Sequence, residues 1–195
     1  MAITFFPFDA GAGANVVETQ WSLMARFFIP NGVVGGYLNQ LNPTVPGGSM
    51  NVNIASGMMI IQGFIFHSDA TEAVTLTTAN PTLERLDFVV VRLDLTANTM
   101  SLVALAGTPG SGSPPALTQT STTWEIPIVR IRVPAAATSP DAFISDRRVF
   151  TGQSIFTGTP PTLAFNGIAP KTWDVLFNTI THTVQLFDGT NWNNI

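Results

Sequence analysis

Polar and apolar residues alternate, run together and break off along this chain in a way that predicts a β protein with one helix. The centre of the pattern is Asn80–Asp94, NPTLERLDFVVVRLD. Asn80-Pro81 punctuates it, and Leu86–Leu93 is then almost wholly apolar and β-branched, which favours an extended strand. Side chains alternate along a strand, so Arg85, Asp87, Val89, Val91 and Leu93 share one face, and Leu86, Phe88, Val90, Arg92 and Asp94 the other. Both faces are apolar in the middle and ionic at one end. A central strand buried on two sides is expected, with an Arg/Asp pair on each face where it leaves the core.

The other segments arrange themselves around that strand. Asn15 and Glu18 have the spacing of a helix start, and Val17, Trp21, Met24 and Phe28 then form one apolar stripe on a helix that must stop before Pro30. The stripe either docks on its own sheet or packs against the same helix of neighbouring subunits. Met50, Val52 and Ile54 alternate with polar or small residues, a half-buried strand. Met58–Phe66 reads as the next strand, with Gly63 marking a bulge or the close approach of another backbone. Thr71–Thr78 alternates again, and Thr96–Thr99 turns the central strand into an antiparallel neighbour, Met100–Ala106. Gly107–Pro115 (GTPGSGSPP) is an exposed loop long enough to lie across another molecule. Trp124–Val133 is the last long strand, where Pro127 indicates an edge or a strand start. Ile144–Arg148 closes this first domain, taken as residues 1–150. Residues 151–195 read as a linker plus a small module of two or three strands, with Asp188-Gly189 turning the chain towards Asn191-Trp192. The expected fold class is therefore all-β: an antiparallel sandwich-like domain, one short N-terminal helix and a small C-terminal β-hairpin module.

Composition changes the picture in one respect. Charged residues make up only 10% of the 195, against roughly 25% in a typical soluble domain. The mean hydropathy is +0.30. Yet the most apolar run, Met58–Phe66, is far short of the about 20 residues a spanning helix needs, so no membrane insertion is expected. The first residues, MAITFFPFDAGAGA, lack the basic start and long apolar run of a signal peptide. So apolar a chain must hide surface elsewhere, and permanent association with other chains is the simplest means. A net charge of −4 argues against a phosphate-binding surface, hence no nucleic-acid partner. The absence of cysteine excludes disulfides and thiolate metal sites.

No pattern of catalysis stands out. His67 and His182 are isolated, and there is no Gly-x-Ser-x-Gly elbow. Asp141 and Asp146 lie at a spacing with no calcium-loop signature. No enzyme activity and no cofactor are expected. Trp173, Trp192 and Asn191 are the candidate glycan contacts, because exposed aromatics beside amides suit the apolar face of a sugar. The plainer role for Trp192 is to plug the end of its hairpin.

Several motifs in order carry a family resemblance: Gly32-Val33-Val34, Leu41-Asn42-Pro43, Met50-x-Val52-x-Ile54-x-Ser56-Gly57, Ile61-Gln62-Gly63, the Asn80–Asp94 run, Gly107-Thr108-Pro109 with Pro114-Pro115-x-Leu117-Thr118, and Ile144-x-Asp146-x-Arg148. Over about residues 15–148 the chain resembles the N-terminal domain of tailed-bacteriophage baseplate and receptor-binding proteins. Thr172–Trp192 is similar to a small hairpin module of phage tail fibres. The resemblance implies a virion protein of the tail or baseplate. It implies an all-β domain, usually trimeric, that fixes the host-adhesion apparatus to other tail proteins, or an adhesin that meets a host surface glycan. The residues expected to matter are then architectural: Arg85, Asp87, Arg92 and Asp94 holding strand ends, with Asp146 and Arg148 joining them from the closing segment.

Overall fold

The computed structural model describes residues 18–141, 144–152, 155–158 and 174–195. Its elements are one helix, α1 (Glu18–Phe28), and fifteen strands. The first eleven strands are β1 (Gly32–Val34), β2 (Pro43–Thr44), β3 (Asn51–Ile54), β4 (Gly57–Ile61), β5 (Phe64–Ser68), β6 (Glu72–Thr75), β7 (Arg85–Asp94), β8 (Thr99–Leu105), β9 (Thr123–Val133), β10 (Ile144–Asp146) and β11 (Phe150–Thr151). They form three sheets, ordered β11-β1-β4-β5, β2-β3-β6 and β10-β9-β7-β8. The all-β architecture with a single short helix is as the pattern predicts.

The predicted central strand is β7. Val89, Val91 and Leu93 enter a core that also takes Val33, Val52, Ile54, Met59, Ile61 and the apolar side chains of β9. One core thus joins the inner faces of all three sheets. Val90, on the opposite face, is also fully buried, so β7 is covered on both sides. β9 has a bulge opposite Val89/Val90, beside Pro127. The neighbouring β10 reaches only as far as Val129, so the proline sits where β9 has lost its second partner and its missing N–H costs no ladder bond.

Met58–Phe66 is not one strand. Gln62 (φ 51°) and Gly63 (φ 80°) turn the chain over, so that β4 and β5 pair as a hairpin with Ile61 opposite Phe64. Two residues in the left-handed region suit the twist of the strands they join. The close backbone approach expected at Gly63 is real. A Cβ there would lie 2.2 Å from the carbonyl oxygen of Ser22, so α1 sits directly on this turn.

The first sheet is completed by the closing segment. β11 pairs in parallel with β1, Val33 beside Phe150, so this strand, and not Ile144–Arg148, is the last of the first unit. Beyond it, β12 (Ile155–Gly158), β13 (Val175–Asn178), β14 (Thr183–Phe187) and β15 (Trp192–Asn194) make a separate sheet in that order. It has one strand more than expected, because β12, inside the stretch read as linker, runs parallel to β13. No helix among the described residues is long and apolar enough to cross a membrane.

Candidate functional site

The most constrained chemistry lies at two ionic nodes on β7. Arg85 and Asp87 are two residues apart on the inner face, and their cross-strand neighbours on β9 are the uncharged Val133 and Ile131. Each therefore finds its partner along the strand. Arg85 Nε donates to both Asp87 carboxylate oxygens, at 2.9 and 3.0 Å, with side chains only 5% and 1% exposed. Neither group has spare capacity directed at solvent. Arg85 Nη1 donates to the Thr78 carbonyl at 2.7 Å and Nη2 to that of Thr77, while Asp87 Oδ1 accepts the Gly107 N–H at 2.9 Å. The pair thus ties the segment entering β7 to the loop leaving β8. A side chain at Gly107 would collide with the Leu86 carbonyl, 2.2 Å from its Cβ, so the loop must start with glycine to reach this acceptor.

On the outer face the expected Arg92–Asp94 pair does not form. Glu125 lies directly across from Arg92, and directly opposed residues in an antiparallel pair are closer than same-face residues along one strand. Arg92 Nε and Nη2 donate to Glu125 Oε1 at 2.8 and 2.6 Å, and Glu125 Oε2 accepts the Thr118 N–H at 2.6 Å. Asp94 instead accepts the Thr96 and Ala97 N–H groups and closes the β7–β8 turn. Glu125 is the ion-pair residue that the sequence pattern did not reveal, and only the register shows it.

Asp146 and Arg148 pair with each other and do not join the β7 nodes. Arg148 Nη2 donates to Asp146 Oδ2 at 2.7 Å, and Nη1 donates to the Gln40 carbonyl at 2.8 Å, pinning the closing segment to the start of the domain. Burial alone would push the Asp146 carboxyl up, but the Arg148 side chain, backbone N–H and charge together outweigh it and hold the group below its ordinary value. Asp141 is likewise engaged, its carboxylate 3.0 Å from the Arg132 guanidinium.

The helix presents the opposite situation. Its Ser22 side lies on the β4–β5 turn, where Arg26 Nη1 donates to Gln62 Oε1 at 3.0 Å. Trp21, Met24 and Phe28 project from the other side of the cylinder. Trp21 is 51% and Phe28 80% exposed, and Phe27 and Ile29 are exposed beside them. Met24 is half-buried. The stripe does not dock on the chain's own sheets. Val17, its first member, lies outside the described residues.

At the C-terminal hairpin the Trp192 ring packs on Phe187, with centroids 5.2 Å apart. Asp188 accepts the Asn191 and Thr190 N–H groups and the Asn193 side-chain amide, and these donors hold its carboxyl below the ordinary range. Asn191 is exposed at this tip, but its N–H and carbonyl are spent on the turn. Trp173 lies outside the described residues. His67 meets the Tyr37 hydroxyl at 3.3 Å, and His182 occupies a left-handed turn position.

No family model, curated protein or solved structure matches this chain. Its own residues therefore bear the functional reading. Among those described, no three of His, Asp or Glu converge so as to hold a metal ion. The buried charges of β7 and β9 are paired and fix loops to strands, an arrangement that provides rigidity. Among the described residues, α1 exposes a cluster of large apolar side chains, Trp21, Phe27, Phe28 and Ile29.

Proposed function

We propose that this chain is a structural protein of a phage tail or baseplate, part of the virion, that works without catalysis by assembling into a homotrimer and anchoring the host-adhesion apparatus to neighbouring tail proteins. The family resemblance supplies the setting. The observation that carries the reading is the outward stripe on α1. Val17, Trp21, Met24 and Phe28 are spaced four, three and four apart, the a/d spacing of a coiled-coil seam. Trp21 and Phe28 stand in solvent while the helix's other side is occupied. Burying a large aromatic side chain removes about 150–250 Å² from water. Three copies brought together around one axis would cover each other's stripes and account for the chain's excess of apolar surface.

The rival reading, host-glycan contact through Trp173, Trp192 and Asn191, has less support, since Trp192 is half-buried and packs on Phe187. The test is mass in solution. Light scattering over a range of micromolar concentrations should give a trimer, and Trp21→Ser with Phe28→Ser should give a folded monomer. A parent protein that is monomeric throughout, or a double variant that keeps the oligomer mass, would overturn the proposal. Antibody labelling of the virion should then fall on the tail tip.

A further inference from the structure

An open cleft lies on the side of α1 that faces the domain, between the helix, the β4–β5 turn and the loop that precedes β9. Its volume is about 500 Å³, the size of small-molecule sites in general. Phe64, Leu93 and Trp124 line it, and all three belong to the apolar core or pack against it. Arg26, Gln62, Gln119 and Ser121 line it as well. These polar groups hold one another in part. Gln62 Oε1 is taken by Arg26, and Gln119 Nε2 donates to the Glu125 carbonyl at 3.2 Å. Those bonds fix which ends remain: the Gln62 NH₂ and the Gln119 carbonyl oxygen have no partner among the described residues. An apolar wall ringed by hydrogen-bond donors and acceptors matches a ring with one C–H face and several hydroxyls.

Backbone strain points to the same place. Gln62 holds φ 51° at the first position of a two-residue turn, a conformation favoured by Gly, Asn or Asp. Its backbone N–H is bound by Asn31 Oδ1 at 2.7 Å, so the strain is held by the surrounding structure. A long amide at such a position costs stability, and strain of this kind gathers at binding sites.

We infer that this cleft binds a saccharide, with one sugar ring against Trp124 and its hydroxyls shared between the Gln62 and Gln119 amides. Among the described residues Arg26 is the only ionic group lining the cleft, so an acidic sugar is preferred over a neutral one. Among the described residues no carboxylate lines it, so the sugar is held and not cleaved. This site is separate from the assembly stripe and does not rest on that reading.

The probes are the methyl glycosides of glucose, N-acetylglucosamine and glucuronic acid, added to the full chain and followed by saturation-transfer NMR and titration. Glucuronide should bind most tightly. Gln119→Ala and Gln62→Gly should each weaken it about ten-fold, as expected for one lost hydrogen bond in a binding site. Gln62→Gly should at the same time raise Tm by about 2–4 °C, because glycine relieves the strained turn. Weaker binding with higher stability is a pairing that a purely structural glutamine would not give. Absence of binding by all three glycosides at about 10 mM, weaker than any affinity of note, would overturn the inference. So would binding that both variants leave unchanged. Oligomer mass measured on the same samples keeps this outcome apart from that of the assembly proposal.

Discussion

Replacing Asp87 by alanine removes the acceptor on which two other groups depend. Arg85, 5% exposed, keeps its charge without the Asp87 counter-ion, and the buried Gly107 N–H loses its Asp87 acceptor. Breaking one side of a buried ion pair costs about 3–5 kcal/mol. A stranded buried donor costs a further about 1–3 kcal/mol. Water entering the space vacated by the carboxylate offsets part of this, so the net loss should be about 3–5 kcal/mol. That is a large share of the about 5–15 kcal/mol by which domains are stable. Urea unfolding followed by tryptophan fluorescence, at one fixed protein concentration because assembly adds to stability, should show the midpoint falling by about 1.5–2.5 M. Arg85→Ala should cost a similar amount, but the double variant should cost much less than the sum, since no charge is then left buried alone. A coupling energy above about 1 kcal/mol is expected. An Asp87→Ala protein within about 1 kcal/mol of the parent, or singles that simply add, would refute the node as a stabilising unit.

Glu125→Ala should cost less, about 2–3 kcal/mol, because Arg92 is 34% exposed and can turn to water; the same urea titration measures it. Gly63→Ala puts a methyl 2.2 Å from the Ser22 carbonyl at φ 80°, so α1 should be displaced. Amide exchange over residues 18–28 should accelerate while the β7–β9 amides stay protected. Acid should act on the closing segment. The Asp146 carboxyl is held below its ordinary value of 3.8, so its pairing with Arg148 stabilises the fold fully above that value and is lost as pH falls through the lower folded-state value. Tm should therefore drop below about pH 4, and Arg148→Ala should flatten that drop; equal slopes in parent and variant would count against it.

Much of the fold was legible because one residue pattern dominated. The β-branched run at Leu86–Leu93 could only be a buried strand, and the Arg85–Asp87 pair followed from side-chain alternation because nothing charged faces it. The same alternation misled at Arg92, since a single strand cannot show what stands opposite, and Glu125 wins by register. The β4–β5 turn was hidden because glutamine is an unusual residue there, so an apolar run broken by Gln62-Gly63 looked continuous. The parallel strands β11 and β12 were illegible for a related reason. They are very short, and their partners lie far away in sequence or across a linker. The helix face was read correctly as apolar, but which way it points depends on a contact between Ser22 and a glycine 41 positions later.

The pairing of Gly32–Val34 with Phe150–Thr151 has a bearing on synthesis. A nascent chain emerging from a ribosome offers β1 long before its outer neighbour exists, and the Val33 N–H waits for the Val149 carbonyl throughout that interval. Contacts so distant along the chain form late, and an unfilled strand edge invites pairing with a stranger. Premature termination upstream of Val149 should therefore yield aggregates in place of a shortened but native domain.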